Sequence, residues 1–174
     1  MITQDMYLSD RSKPRLLIID ESWQFIHDGT ILQRVIEEAF RRCRRYNAGI
    51  IIISQSLLDL KQFGRVGNVI RANSAFTFLL ESPDFEQARA EKLISYDEFT
   101  MNWLKTVKSN KPRYSEIFMD TPFGIGIVRL AVDDYSYYLY TSFGPEIAEI
   151  ESMVESGMTY DEAIKEMIGK YKSE

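Results

Sequence analysis

A pair of carboxylates that follows a short apolar run is the part of this sequence best suited to chemistry. Leu16-Leu17-Ile18-Ile19 leads directly into Asp20-Glu21. A continuous apolar run is typical of a strand buried on both faces of a parallel sheet, and such sheets bind ligands at the carboxyl ends of their strands. Asp20 would hold Mg²⁺ there, and Glu21 would polarise an attacking water. Many strands that bind nothing also end in acidic turns, so the pair alone does not decide the function.

A second polar group follows the next predicted strand. Ile50–Ile53 ends in Ser54-Gln55-Ser56, one crossover after the first strand. Because the carboxyl ends of parallel strands share one edge of a sheet, Gln55 is expected near the two carboxylates, where its amide could contact a γ-phosphate or the attacking water. The serines fit equally well as caps of a short helix over residues 57–62. The two strand ends together match the Walker B magnesium site and sensor of phosphate-loop ATPases.

A basic cluster lies near the end of the first predicted helix, at Arg41, Arg42, Arg44 and Arg45. Glu37 and Glu38 precede the first two by four residues, a spacing that forms ion pairs on a helix. The other two arginines have no such partner. Arg41, Arg44 and Arg45 share one face of a continuous helix. Unpaired arginines near a phosphate site suggest an arginine finger that acts across a subunit interface. A solvated helix face and a grip on nucleic acid are the alternatives.

The first elements around these residues form a βαβ unit. Periodic apolar residues predict a helix over residues 31–46, and Asn47 and Gly49 are typical of its end. Strand, helix and strand within about 40 residues favour a parallel pair with a right-handed crossover. A third strand is predicted over residues 75–80.

The remaining elements alternate between helices and β-structure. Ser82-Pro83 is expected to open one helix and a Ser95-x-x-Glu98 capping box another. The predicted buried side of the second helix consists of Phe99, Trp103, Leu104 and Val107. Three segments are predicted as a β-hairpin or meander, at residues 115–120, 125–132 and 136–142. Gly144-Pro145 begins an acidic helix, and Thr159-x-x-Glu162 caps a last one.

Composition limits the class of protein. The chain has 174 residues with 21 Lys+Arg against 26 Asp+Glu, a formal charge of -5, which argues against a generally basic nucleic-acid binder. The single cysteine excludes an intramolecular disulfide and a cysteine-cluster metal site, and with one histidine as well the composition argues against zinc chemistry. No apolar run approaches the roughly 20 residues that cross a bilayer. Residues 144–174 hold 3 basic and 8 acidic residues, so an acidic helical appendage is expected on a core of residues 1–143, within one domain.

The order of these motifs carries a resemblance to a known family. Asp20-Glu21-Ser22-Trp23, Arg41-x-x-Arg44-Arg45 and Ile53-Ser54-Gln55 resemble the carboxyl-terminal ATPase half of TraC-type conjugation ATPases of type IV secretion systems. The tail is similar as well, from Tyr140-Thr141-Ser142-Phe143-Gly144-Pro145 to the last helix. The similarity runs from about Arg15 to Tyr171.

The resemblance implies an α/β fold, the Walker B half of a RecA-like phosphate-loop NTPase sheet, with ATP and Mg²⁺ as cofactors. It assigns the magnesium carboxylate to Asp20, the catalytic glutamate to Glu21, the sensor to Gln55 and the finger to Arg41 or Arg44. It also implies a homohexamer at the cytoplasmic face of the inner membrane. With other secretion components, that hexamer would power pilus assembly and the transfer of DNA or protein.

One departure from the family pattern is large. No Gly-x-x-x-x-Gly-Lys-[Ser/Thr] is present, since the single Gly-Lys pair is Gly169-Lys170 and Ile164 stands at the first glycine position. We therefore expect the chain to be the downstream half of a longer ATPase and to be inactive or very weak alone. Two alternatives are a non-catalytic module that docks on a secretion ATPase ring through its acidic tail, and a DNA-pumping relative of the same class.

Overall fold

The computed structural model describes residues 10–22, 26 and 30–173, and divides the chain into two compact units. The first comprises residues 1–78, 82–106 and 120–125, and the second comprises residues 79–81, 107–119 and 126–174. The strands are β1 Arg15–Ile19, β2 Ala48–Ile52, β3 Thr77–Leu79, β4 Ser109–Asn110, β5 Tyr114–Thr121 and β6 Gly124–Leu130. The helices are α1 Ile31–Arg42, α2 Asp59–Gln62, α3 Arg65–Asn73, α4 Phe85–Ala90, α5 Glu98–Leu104, α6 Asp134–Tyr140, α7 Gly144–Glu155 and α8 Tyr160–Ser173. Within the described ranges, no helix has both the length and the apolar character needed to cross a membrane.

The predicted βαβ unit is confirmed in the first unit. Strands β1 and β2 pair in parallel, in a register that runs from Arg15 opposite Ala48 to Ile19 opposite Ile52. Thr30 caps α1, since its hydroxyl accepts a hydrogen bond of 3.2 Å from the Gln33 backbone N–H. These local signals place a helix between the two strands, which directs their carboxyl ends to one edge.

The first helix is shorter than predicted. The α-helix ends at Arg42, and residues Cys43–Tyr46 form a 3₁₀ turn. Asn47 follows in the left-handed conformation, with a φ of 51°. Because β2 begins at the next residue, the chain must tighten and reverse at this point, which an asparagine tolerates well. The three arginines predicted to share one face therefore do not belong to one continuous α-helix.

The expectation that β1 is buried on both faces is wrong. Burial alternates along the strand, and Leu16 and Ile18 are 59% and 56% exposed. Ile51 of β2 is also exposed, whereas Ile19 and Ile52 pack against the core. In the described part of the chain, helices cover only one face of this two-stranded sheet. The apolar run of β1 is typical of a strand covered on both faces, but here its Leu16 and Ile18 side chains lie on the uncovered face.

The core of the first unit lies on the covered face. Its buried members are Ile26, Ile36, Phe40, Phe63, Val66, Val69 and Ile70. The buried Gln33 side chain donates a 3.1 Å hydrogen bond to the Phe63 carbonyl and so satisfies its own amide within the core. Gly67 lets α3 pack closely on α2, because a Cβ there would lie 1.9 Å from the Leu60 carbonyl oxygen. Strand β1 and strand β2 thus rest on a tightly packed layer.

The two middle helices begin later than predicted. Helix α4 starts at Phe85, and the Ser82 hydroxyl accepts from the Asp84 N–H in the turn before it. The cap of α5 is Asp97 and not Ser95, with a 2.7 Å bond from the Thr100 N–H to the Asp97 carboxylate.

The later start of α5 changes which of its side chains are buried. Leu104 and Val107 are buried as predicted, and Met101 joins them. Phe99 and Trp103 are 78% and 39% exposed, so their predicted burial is wrong. A helix that begins at residue 98 presents positions 101 and 104 on its inner face, and positions 99 and 103 then turn away from it.

The second sheet has the strand order β3-β5-β4, and β6 pairs with β5. Its strands confirm the β-structure predicted over residues 115–120 and 125–132. The strand predicted over residues 136–142 is wrong, because this segment forms α6. Asp133 caps that helix by accepting a 2.9 Å bond from the Ser136 N–H. Tyr138 of this helix is buried in the helical core of the second unit.

The two carboxyl-terminal helices are confirmed. Pro145 lies in the first turn of α7, where its missing N–H has no helical partner to lose. The capping box of α8 forms as predicted, since the Thr159 N–H donates to Glu162 at 2.8 Å and the Glu162 N–H donates to the Thr159 hydroxyl at 3.3 Å. Ala163, Ile164 and Met167 of α8 are buried.

Candidate functional site

The parallel pairing of β1 and β2 extends past the ends of the strands. The Ile53 N–H donates to the Ile19 carbonyl at 2.9 Å, and the Ser22 N–H donates to the Ile53 carbonyl at 3.2 Å. These two bonds hold the turn that contains Asp20 and Glu21 beside the turn that contains Gln55. The sequence expectation that both polar turns share one edge of the sheet is thereby satisfied.

Glu21 and Gln55 are in direct contact. The Gln55 side-chain amide nitrogen lies 2.9 Å from Glu21 Oε1 and 3.1 Å from Glu21 Oε2, and it donates to the carboxylate. A hydrogen bond to a charged acceptor is stronger than a neutral one. The contact joins residues that are 34 positions apart in the chain and fixes the direction of the Glu21 carboxylate.

The backbone of Glu21 is in an unfavourable conformation. Its φ is 51°, in the left-handed region that costs a residue with a Cβ roughly 1–2 kcal/mol. The Glu21 N–H donates to Asp20 Oδ1 at 2.9 Å, which helps to hold this turn. Strained residues of this kind concentrate at functional sites. The strain is therefore consistent with a turn shaped to present its carboxylates.

The donor set suits magnesium. Asp20 is exposed at the strand end, and carboxylate oxygens are the hard ligands that Mg²⁺ prefers. Among the described residues, no group of three or more acidic, histidine or cysteine side chains could hold a metal alone. Mg²⁺ is usually held by one or two carboxylates together with substrate phosphates and waters. Asp20 therefore fits a magnesium ion that arrives with a nucleotide.

Two further carboxylates hold the turn that carries Gln55. The Ser54 hydroxyl donates to Asp59, and the Ser56 N–H donates to the same carboxylate at 3.3 Å. The Ser56 hydroxyl donates to Asp84 Oδ2 at 2.7 Å. The serines thus order the start of α2, as one of the two sequence interpretations proposed, while Gln55 faces Glu21. Sequence analysis missed both aspartates, although Ser56-x-x-Asp59 has the spacing of a helix cap.

The arginine cluster lies at the other end of the sheet. Arg44, with Arg15, Asn47 and Gly49, lines an open depression at the amino ends of β1 and β2. A five-residue strand is about 15 Å long, so Arg44 is far from Glu21 within one chain. Arg41 lies in the last turn of α1, which leads to the same amino end of β2. The structure therefore brings Asp20, Glu21 and Gln55 together and leaves Arg41 and Arg44 apart from them.

Two of the arginines form the predicted ion pairs. Arg41 lies 3.1 Å from Glu37, and Arg42 lies 2.7 Å from Glu38. Arg65 of α3 also contacts Glu37, at 2.9 Å. Although desolvation acts to raise the pKa of the Glu37 carboxyl, hydrogen bonds from Arg65 and Arg41 hold it below its ordinary value. Within the described residues, Arg44 and Arg45 take part in no ion pair.

Comparison with known proteins places the chain in a family. The sequence profile of the TraG P-loop domain matches residues 2–171, so the chain belongs to the TraG P-loop domain family. Protein TraC of Escherichia coli (strain K12) is 24% identical over 177 residues, which cover 97% of this chain and 20% of TraC. The chain therefore spans about a fifth of that relative.

A solved structure shows the same fold. VirB4 of Thermoanaerobacter pseudethanolicus superimposes with a TM-score of 0.53 at 18% identity, over 84% of this chain and 36% of VirB4. The predicted α/β, RecA-like fold and the resemblance to TraC-type conjugation ATPases are thereby confirmed. Trp23, which belongs to the first motif of that resemblance, lies outside the described residues.

Proposed function

We propose that this chain supplies the magnesium- and base-bearing half of an ATP hydrolysis site in a type IV secretion motor. The observation that carries the proposal is the contact of Gln55 with both oxygens of Glu21, one residue after Asp20, at the carboxyl edge of β1 and β2. General-base chemistry requires a proton acceptor held within hydrogen-bond reach of the attacking water, and the contact with Gln55 holds the Glu21 carboxylate at this edge. Membership of the TraG P-loop domain family supports a nucleotide as the substrate.

Each residue has a distinct task in this mechanism. Asp20 would hold Mg²⁺, which on binding neutralises charge on the phosphates. Glu21 orients a water molecule and, as a general base, accepts a proton from that water as it attacks the γ-phosphate. Gln55 keeps the Glu21 carboxylate in place and lies where it can respond to the presence of that phosphate. The phosphate cradle and its lysine must come from a segment that contains a phosphate loop, because this sequence has none.

The position of the arginines supports assembly into a ring. Arg41 and Arg44 lie at the end of the sheet opposite Glu21, so they can act at a nucleotide only if a neighbouring copy presents them. An arginine supplied from another subunit accelerates phosphoryl transfer in related chemistry. We propose a homohexamer at the cytoplasmic face of the inner membrane, which powers pilus assembly and substrate transfer together with other secretion components.

Replacing the magnesium carboxylate tests this proposal. In the longer protein that joins this domain to a phosphate loop, Asp20→Asn is expected to lower Mg-ATP hydrolysis and conjugative transfer together, by about 100-fold or more. Hydrolysis is measured with purified protein, and transfer is measured by complementing a donor strain that lacks the motor. Asp10→Asn is the matched control, because Asp10 is an exposed aspartate whose carboxylate accepts hydrogen bonds from the neighbouring Ser12.

The same experiment separates the motor from a docking module. In the alternative function, the chain is a non-catalytic module that docks on an ATPase ring through the acidic helices α7 and α8, within residues 144–174. Asp20 would then be dispensable for the function of the module. Normal hydrolysis and transfer in Asp20→Asn would contradict the ATPase proposal. Deletion of residues 144–174 would in that case remove partner binding.

A further inference from the structure

The turn that carries Gln55 is held by one local and one distant carboxylate. Asp59 accepts from Ser54 and Ser56, and it lies only a few residues further along the chain. Asp84 accepts from the Ser56 hydroxyl at 2.7 Å, across 28 positions. The same hydroxyl accepts a 3.0 Å bond from the Leu58 N–H, so both its donor and an acceptor site are used. Ser56 therefore connects the Gln55 turn to a separate part of the first unit.

Asp84 is a firmly held anchor. Its N–H donates to the Ser82 hydroxyl at 3.1 Å, and its carbonyl accepts from the Ala88 N–H at 2.8 Å in the first turn of α4. Phe85 and Ala88 of this helix are buried. Because both the backbone of Asp84 and the helix that follows it are fixed, the carboxylate has little freedom to move away from Ser56.

Gln55, in contrast, depends on its neighbours for its position. Gln55 is exposed, and it contacts Glu21 through the amide at the end of its long, flexible side chain. The direction of that side chain follows from the backbone of residues 54–56, which the bonds of Ser54 and Ser56 determine. A chain of contacts thus runs from Asp84 through Ser56 and Gln55 to Glu21.

We infer that Asp84 is a positioning residue, which fixes Gln55 against Glu21 by holding Ser56. The effect expected on hydrolysis depends on the function proposed above, whereas the effect on Gln55 does not. A role in positioning requires an acceptor at position 84 and not a charge. Asp84→Asn keeps an oxygen acceptor for the Ser56 hydroxyl, and Asp84→Ala removes it.

The Gln55 amide gives a direct readout. In proton–nitrogen NMR spectra of this chain, the side-chain amide of Gln55 is expected away from the positions of a free glutamine amide, and its protons are expected to exchange with solvent more slowly than those of a free amide. Asp84→Ala should bring them toward free-amide positions and speed their exchange by about 5- to 10-fold, the loss that one hydrogen bond supports. Asp84→Asn should leave them close to wild type.

Glu91→Ala is the matched control, since it removes a different side chain at the end of the same helix. Glu91 pairs with Lys61 of α2 at 3.1 Å and does not contact Ser56. An unchanged Gln55 amide in Asp84→Ala would overturn the inference, and so would an equal change in Glu91→Ala. If Asp84→Ala does not fold, Ser56→Ala tests the same bond from its donor side.

The longer, hydrolysing protein gives a second readout. Asp84→Ala should lower kcat for ATP by about 5- to 10-fold with KM unchanged, and Asp84→Asn should restore it. An equal loss of kcat in Asp84→Asn would contradict a role based on the acceptor. Absence of hydrolysis in the wild-type protein would contradict the proposed function alone, because the NMR result still decides whether Asp84 positions Gln55.

Discussion

Replacing Glu21 by glutamine in the longer protein is expected to remove ATP hydrolysis and leave ATP binding intact. An amide has nearly the shape of the carboxylate, and its oxygen can still accept from the Gln55 side chain that now lies 2.9 Å from Glu21. It cannot take the proton of an attacking water. General-base catalysis contributes about 10²- to 10⁴-fold, so a loss of that size in kcat is expected.

The measurement pairs steady-state hydrolysis with equilibrium binding of a labelled nucleotide. Glu38→Gln is the matched control, because Glu38 is a half-exposed glutamate of α1 that forms an ion pair with Arg42 at the helix surface. Hydrolysis should be unchanged in that variant. Retained turnover in Glu21→Gln would contradict the assignment of Glu21 as the base, and a loss of nucleotide binding would assign it to the binding of the substrate instead.

Phe63→Ala is expected to destabilise the first unit by about 3–5 kcal/mol. Phe63 is fully buried among Ile36, Phe40 and Val66, the layer that supports both strands of the candidate site. Removing the ring leaves a cavity that tightly packed neighbours cannot fill. The free energy of unfolding is measured by urea denaturation.

Phe123→Ala is the comparison for the effect of burial. Phe123 is 92% exposed, so its truncation is expected to change stability by less than about 0.5 kcal/mol. Equal losses in the two variants would show that the layer beneath β1 and β2 is not the core of this unit.

The sequence predicts the centre of the site well because its signals are local. Two apolar runs joined by one amphipathic helix imply a parallel pair, and that pairing brings Glu21 to Gln55 without further information. The same local reasoning predicts α8, because the Thr159 and Glu162 capping box is contained within four residues.

The errors arise where neighbouring signals compete or where burial depends on the rest of the fold. The tyrosines of residues 135–140 alternate as in a strand, but the Asp133 cap begins a helix there. Asp97 displaced Ser95 as the cap of α5, and Phe99 turned outward as a result. Whether one or both faces of β1 are buried depends on which elements cover the sheet. The apolar residues of the strand do not indicate this by themselves.

The supporting carboxylates differ in how far they could be predicted. Asp59 lies three residues after Ser56, so a cap pattern could have indicated it. Asp84 reaches Ser56 only because the chain returns there after α3 and β3, and one sequence contains no signal for such a contact. The separation of Arg44 from Glu21 likewise follows from the direction of the strands and not from the presence of the arginines.

Mg-ATP hydrolysis by this chain alone, measured beside the longer protein that adds a phosphate loop, tests the central claim most directly. The half-site account predicts no turnover by the chain alone and turnover by the longer protein, which Glu21→Gln then removes. Turnover by the chain alone that Glu21→Gln abolishes would contradict the account, since it would show that these 174 residues bind the phosphates without a phosphate loop.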